Sequence, residues 1–107
     1  MENIFEDIAA GEVGERFDAL IVRPGIRIVR IVSLGHASPP GFWYDQPGDE
    51  WVLVLRGRAG LLLEGEAERT LEAGDFALLP ARRRHRVTWT APGEPTVWLA
   101  VHFGDGA

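Results

Sequence analysis

Turn-forming residues interrupt this chain at short intervals, and their spacing is the feature that most constrains its fold. Dipeptides such as Pro24-Gly25, Pro47-Gly48 and Pro92-Gly93 separate runs of apolar and β-branched residues. These turn signals recur about every eight to twelve residues, which suits β-strands and leaves too little room for most helices. The pattern predicts an all-β sandwich or barrel of about eight to ten strands.

The apolar runs place the predicted strands along the chain. Ahead of them, the segment from Asn3 to Ala10 predicts one short helical turn that Asn3 caps. The aromatic run from Phe42 to Gln46 predicts a short strand near the middle of the chain. The predicted strands cover residues 17–23, 26–33, 42–46, 51–55, 59–63, 67–71, 76–79, 86–90 and 96–103.

Composition limits the chemistry that the chain can perform. Its 107 residues predict a single domain, residues 1–107, with a core of its own. The net charge of −5 argues against nucleic-acid and anionic-membrane partners. The sequence contains no Cys and no Lys, which excludes thiolate nucleophiles and Schiff-base lysines. Since it has neither an apolar span nor a signal segment, we expect a cytoplasmic protein.

Four polar residues stand out as candidates for a metal site. Tyr44, Gln46 and Glu50 share parity, so they face one side of an extended chain, and His85 begins a later strand. A carboxylate and an imidazole are standard ligands of Fe, Mn, Ni, Zn and Cu. An amide oxygen is a weaker ligand, and a phenol ligates only once it is deprotonated. A closed barrel that brings Glu50 and His85 together therefore predicts either a metal site or a buried structural ion pair.

The spacing around these residues resembles that of the cupin family. Glu50 is followed after six residues by Gly57, as in the second half of the first cupin motif. Gly74, Pro80 and His85 keep the spacing of the second cupin motif, which runs glycine, five residues, Pro-x-Gly, two residues and His. The resemblance covers about residues 26–103, preceded by an arm over residues 1–14.

The sequence also departs from both cupin motifs. Tyr44 and Gln46 occupy the two positions of the His-x-His pair, and Ser38 occupies the leading glycine. In the second motif, Arg82 replaces the middle glycine and Trp89 the final asparagine. Among cupins, phosphomannose isomerases use a Gln ligand, and ectoine synthase uses Tyr, Glu and His. Neither family is a close match, so neither activity transfers to this chain.

The resemblance implies a fold and a set of site residues. The implied fold is a cupin-type double-stranded β-helix, or jelly-roll barrel, with the short N-terminal helical turn. The implied metal is a divalent transition metal, Fe, Mn, Ni, Zn or Cu, held by Gln46, Glu50 and His85. The implied substrate pocket contains Tyr44, Trp89 and His102, and the residues with catalytic roles are Tyr44 and Glu50. Gln46 is alternatively a hydrogen-bonding pocket residue, and Tyr44 an aromatic wall.

Three further polar features leave alternatives open. His102 shares parity with Trp98, so it either lines the cavity or is a satisfied structural residue. His36 lies in a Pro-rich loop and is expected to be solvated, and the alternative is that it reaches over the barrel mouth. The basic run over residues 82–86 either attracts an anionic substrate or forms a solvated face neutralised by nearby acids.

These observations predict a metal-dependent enzyme that acts on a small molecule. The alternative is a non-catalytic barrel that binds or senses a small ligand, and a third possibility is a metal-free dimeric scaffold. The resemblance also implies a homodimer paired through apolar strand faces, for which Ile31, Leu53 and Leu55 are the candidates.

Overall fold

The chain folds into two antiparallel β-sheets. The computed structural model describes residues 2–8 and 14–104, which form eight strands and no α-helix. This confirms the predicted all-β class. The strands are β1 (Gly14–Arg23), β2 (Ile26–Leu34), β3 (Asp49–Arg56), β4 (Arg58–Leu63), β5 (Arg69–Glu72), β6 (Phe76–Leu79), β7 (His85–Thr90) and β8 (Thr96–Phe103).

The two sheets enclose the apolar core. One has the strand order β1-β2-β8-β3-β6, and the other has the order β5-β4-β7. Alternation along each strand turns every second side chain inward, so Val54 and Trp98 from the larger sheet meet Leu61 from the smaller one. The same alternation sends Glu50 of β3 and His102 of β8 inward as directly paired neighbours.

The turn after β3 requires a glycine, as the motif spacing predicts. Gly57 has a φ of 86°, a conformation that side chains rarely adopt. A Cβ added there would lie 2.8 Å from the backbone Cα of Thr96. The turn therefore fixes how the chain leaves β3 in the larger sheet and enters β4 in the smaller one.

The predicted strand over residues 42–46 is wrong. Tyr44 makes one isolated bridge to His85, through N–H···O bonds of 2.8 and 3.1 Å, and no strand continues from it. Pro39 and Pro40 lack the N–H groups that a ladder needs, and the N–H of Phe42 closes a turn onto the carbonyl of Pro39 at 3.0 Å. The segment still lies along β7 and places Tyr44 at the cavity.

The N-terminal segment forms a turn, and its described part contains no helix. The Asn3 side chain accepts a hydrogen bond from the N–H of Phe5 at 2.8 Å, which confirms Asn3 as the capping residue. Residues 9 and 10 of the predicted helical turn lie outside the described residues. Ile8 packs against Val32 and Val97 on the outer face of the larger sheet. No helix in the described ranges is long and apolar enough to cross a membrane.

Two of the three residues expected at a dimer contact are not available to a partner. Ile31 faces inward and lines the cavity, and Leu55 packs beneath the N-terminal turn. Leu53 lies on the outer face, where it pairs with Phe76 of β6. The Phe76 side chain is 63% exposed, and beside it Leu78 is 52% exposed. The outer face of β3 and β6 therefore presents an exposed apolar surface on the larger sheet.

Candidate functional site

A cavity of about 470 Å³ lies between the two sheets. Seven of its sixteen lining residues are polar or charged, and the other nine are apolar. The polar residues gather toward one region of the cavity, and they come from both sheets and from the segment before β3. They are Glu15, Arg27, Tyr44, Gln46, Glu50, His85 and His102.

Glu50 is the centre of the polar region. Glu50 is 6% exposed, and its Oε1 accepts a hydrogen bond from the Gln46 amide nitrogen at 2.7 Å. The Nε2 of His85 lies 3.8 Å from the same oxygen, and the Nε2 of His102 lies 3.7 Å from Oε2. The structure thus brings together Gln46, Glu50 and His85 and adds His102 to them. Gln46 was expected to offer its amide oxygen to a metal, but its amide nitrogen instead donates a hydrogen bond to Glu50.

The hydrogen bonding of His85 determines which of its ring nitrogens carries the proton and which one has a free lone pair toward Glu50. Nδ1 lies 3.1 Å from the carbonyl oxygen of Arg83. A carbonyl can only accept, so Nδ1 carries the proton and the neutral ring has its lone pair on Nε2. At 3.8 Å, Nε2 and the carboxylate oxygen are too far apart for a hydrogen bond.

His102 is held in its neutral form. Burial lowers the pKa of its imidazole, Glu50 opposes this shift, and the positive charge of Arg27 lowers the pKa further. A neutral imidazole is the form that ligates metals. The sequence left open whether His102 reaches the cavity; the β3–β8 register, which pairs it with Glu50, places it there.

The donor chemistry of this cluster fits a divalent transition metal. One carboxylate and two imidazole nitrogens form a common ligand set of catalytic metal sites. Among the described residues, no three His, Cys, Asp and Glu side chains already stand at the spacing of a metal site. Binding a metal at Glu50, His85 and His102 therefore requires these side chains to move closer together.

A second carboxyl group, Glu15, faces the same cavity and was missed by the sequence analysis. It lies on β1, accepts a hydrogen bond from Ser33 Oγ at 3.2 Å, and has an oxygen 3.6 Å from Nε2 of His36. Burial raises its pKa, and the negative charge of Glu50 adds to this, although His36 and Ser33 oppose the shift. Extending the alternation of Phe17 two residues back would have found it. His36 is half-buried against Glu15, so the expectation that it is solvated is wrong.

Tyr44 stands between the two carboxyl groups. Its ring stacks on that of His85, with centroids 5.4 Å apart. Burial raises the pKa of the phenol, and the charges of Glu15 and Glu50 and hydrogen bonding to Glu15 raise it further. The phenol therefore stays protonated at neutral pH, which disfavours ligation as a phenolate and suits a proton donor.

Trp89 does not line the cavity, contrary to the role expected of it. A register shift in the β4–β7 pairing, between Gly60 and Leu61, separates Trp89 from Val87, which does line the cavity. Trp89 instead covers Gly60, where a Cβ would lie 2.3 Å from its Nε1, and the guanidinium of Arg58 stands 6.0 Å from its ring.

Three arginines of the basic run over residues 82–86 pair with acids on the surface. Arg82 pairs with Asp45 at 3.4 Å, and Arg84 pairs with Glu64 at 3.0 Å. Arg83 forms a further ion pair with a neighbouring glutamate. Of the two alternatives, the structure supports the neutralised, solvated face, because none of these arginines lines the cavity.

Comparisons with known proteins agree with this architecture. The family described as "Cupin domain" matches residues 31–102. A solved structure from Ralstonia eutropha JMP134, described as a candidate mannose-6-phosphate isomerase, is 54% identical to this chain. The match has a TM-score of 0.93 and covers 96% of each chain. No curated protein sequence matches this one.

More distant solved structures share the fold alone. A cupin superfamily protein from Desulfitobacterium hafniense DCB-2 has 18% identity and a TM-score of 0.77, covering 98% of this chain and 94% of its own. A conserved protein of unknown function from Streptococcus pyogenes also has 18% identity, with a TM-score of 0.78, and the match covers 100% of this chain and 89% of its own.

Proposed function

Since this chain belongs to the cupin family, we propose that it is a metal-dependent enzyme that acts on a small molecule in the barrel cavity. The proposed ligands are Glu50, His85 and His102. The observation that carries the proposal is the arrangement of two imidazole Nε2 atoms, 3.7 and 3.8 Å from the two oxygens of one buried carboxylate.

Electrostatics favour a cation at this point. Placing an ionised carboxylate in an apolar interior costs several kcal/mol unless charge or hydrogen bonds compensate it. Glu50 receives one hydrogen bond, from Gln46, and the two imidazoles are beyond hydrogen-bond distance. A cation between the three side chains satisfies the carboxylate and the lone pair of His85 together.

The surrounding residues have distinct roles in this proposal. A divalent metal supplies Lewis acidity that polarises a carbonyl or hydroxyl of the substrate. Gln46 orients Glu50 through its amide N–H, which replaces the direct ligation first expected of Gln46. Tyr44, whose ring stacks on that of His85, donates a proton or a hydrogen bond to the substrate. Glu15, whose pKa burial raises, lies next to Tyr44 as a second carboxyl group of the cavity.

A non-catalytic ligand-binding barrel is the second candidate function. It is favoured by the spacing of the cluster, since no three described side chains yet stand at metal-site distances. In that case Glu50 and the two histidines form a polar end that contacts the ligand directly.

We also propose that two copies of the chain pair through the outer face of β3 and β6. Trp51 and Phe76 lie 5.6 Å apart there, beside Leu53 and the exposed Leu78. An apolar face of this kind on a soluble protein marks an association surface. Phe76→Glu should convert a dimer to a monomer in sedimentation equilibrium, and a parent protein that is already monomeric would refute the pairing.

Metal content tests the proposed function directly. Untagged protein purified without chelator, and after loading with Fe, Mn, Ni, Zn or Cu, should contain about one equivalent of metal by elemental mass spectrometry. Glu50→Ala and His85→Ala should lose the metal and keep the fold by circular dichroism. Glu68→Ala changes an exposed glutamate and should retain the metal. Metal retained in both site variants refutes the ligand assignment, and no metal after loading favours the ligand-binding barrel.

A further inference from the structure

Several polar groups in the cavity already have partners within the protein. The amide N–H of Gln46 is donated to Glu50, and Nδ1–H of His85 is donated to the Arg83 carbonyl. Glu15 accepts from Ser33 and faces His36. These groups are committed within the protein, and the apolar lining residues offer no hydrogen bonds, so each ligand hydroxyl that faces them is left without a partner and weakens binding.

The rest of the cavity offers an apolar surface. Nine of the sixteen lining residues have apolar side chains. Several stand on facing sheets, so a flat or compact apolar body can be covered from both sides. The residues that make up this part of the cavity include Phe17, Ile31, Val52, Leu61, Val87 and Trp98.

Arg27 is the one permanent positive charge among the described side chains that line the cavity. On β2 it pairs with His102 of β8, which in turn pairs with Glu50 of β3, so these three residues form one row across the sheet. Within the described ranges, Arg27 has no ion-pair partner, whereas Arg30 of the same strand is paired with Asp18. Its guanidinium is therefore free to bind one carboxylate next to the Glu50 cluster.

We infer that the ligand of this cavity is a small, mainly apolar monocarboxylate, with its carboxylate on Arg27 and its apolar body between the two sheets. This inference rests on the proposed function, because it assigns a substrate class to the same cavity. It runs against a phosphorylated sugar, the class named in the description of the R. eutropha protein. A phosphate dianion would meet a single arginine and the carboxyl groups of Glu15 and Glu50.

Three probes separate the possible ligand classes. Benzoate is apolar with one carboxylate, benzyl alcohol has the same ring without the charge, and mannose 6-phosphate is polar and dianionic. Each is titrated into metal-free and metal-loaded protein, and binding is followed by the indole N–H resonances in ¹H–¹⁵N NMR spectra. Trp98, which lines the cavity, is assigned by comparison with Trp98→Phe. Benzoate should shift the Trp98 resonance and bind more tightly than either other probe.

Substitutions then test the role of Arg27. Arg27→Gln should weaken benzoate binding about tenfold, the effect expected for losing one charge-assisted hydrogen bond, and should leave benzyl alcohol binding unchanged. Arg23→Gln is the matched control, because Arg23 is exposed on β1 and does not line the cavity. Its affinity for benzoate should equal that of the parent protein.

Each contrary outcome overturns the inference. It fails if mannose 6-phosphate binds more tightly than benzoate, if benzoate does not bind, or if Arg27→Gln and Arg23→Gln bind benzoate equally well. The metal-free titration separates this inference from the proposed function. If the protein takes up no metal but binds benzoate in a way that depends on Arg27, the ligand class is upheld and the metal site is refuted. If the protein takes up metal but does not bind benzoate, the metal site is upheld and the ligand class is refuted.

Discussion

Two buried charges lie on opposite faces of the same sheet, and the protein satisfies them very differently. On the outer face, Arg30 is 2% exposed. Its guanidinium donates to Asp18 at 2.8 and 3.0 Å and to the backbone carbonyls of Ile4 and Glu6. Every nitrogen of the guanidinium has a partner, so the cluster fixes the N-terminal turn against the sheet.

On the inner face, Glu50 is almost as deeply buried and far less satisfied. One amide hydrogen bond reaches it, and the two flanking imidazoles stay beyond hydrogen-bond distance. Burying either charge costs a comparable desolvation free energy. The partners of Arg30 compensate this cost fully, whereas the single hydrogen bond to Glu50 compensates it only in part. The difference indicates that the Arg30 cluster stabilises the fold, whereas the Glu50 cluster is arranged for a group that comes from outside the chain.

The largest expected effect is the loss of the Arg30 cluster. Arg30→Met removes two hydrogen bonds to Asp18, which keeps only its bond to Arg16, and leaves two backbone carbonyls without this donor, so we expect the free energy of unfolding to fall by about 3 kcal/mol. Urea denaturation measures this change. Arg23→Met replaces an exposed arginine of β1 and should change stability by less than about 0.5 kcal/mol. Equal losses of unfolding free energy in Arg30→Met and Arg23→Met would show that the Arg30 cluster does not stabilise the fold more than an exposed arginine does.

Two acids of β1, Asp18 and Glu15, should have smaller effects on stability than Arg30. The two effects should have opposite signs. Burial raises the pKa of Asp18, but hydrogen bonds and positive charges from Arg30 and Arg16 outweigh it, so the pKa is lowered. Its stabilisation is present above about pH 4 and is lost as the pH falls through the folded-state pKa. Glu15 has a raised pKa, so ionising it costs stability as the pH rises above about 4.

Two variants separate these contributions by urea denaturation between pH 3 and pH 7. Asp18→Asn should be less stable than the parent at pH 7, with the gap closing as the solution is acidified. Glu15→Gln should gain stability relative to the parent as the pH rises from 4 to 7. Parallel pH profiles for the two variants would show that the acids do not differ as proposed.

The smallest expected effect on stability is that of Glu50→Gln in metal-free protein. No saturated network is lost, and a neutral amide is cheaper to bury than a carboxylate, so the change should stay within about 1 kcal/mol of zero. Thermal unfolding of chelator-treated protein checks this prediction. A loss as large as that of Arg30→Met would mean that Glu50 is a structural ion pair.

The sequence predicted the fold and the centre of the site because both depend on local patterns. Turn spacing indicated the strands, and the motif spacing predicted that Glu50 and His85 lie close together, as they do in the structure. The positions of Trp89 and His102 depend instead on the register between paired strands. The β4–β7 shift separated Trp89 from the cavity, and a shift of one residue turns a strand's side chains to the opposite face. Pairing of β3 with β8 put His102 beside Glu50, a long-range contact that no single segment encodes.

Glu15 shows a different limit of the sequence analysis. It lies before residue 31, where the family match begins, so the motifs gave no reason to include it. Tyr44 shows a third limit: its strand prediction was wrong, and one isolated bridge to His85 still places it at the cavity. Long-range backbone pairing thus positions site residues where local propensity does not.

Calorimetric titration of metal into chelator-treated protein, for the parent and for Glu50→Gln, tests the central claim most directly. We expect one saturable site in the parent for at least one of Fe, Mn, Ni, Zn and Cu, and none in Glu50→Gln. Equal binding by the two proteins, or no binding by the parent with any of these metals, would contradict the assignment of the Glu50 cluster as a metal site.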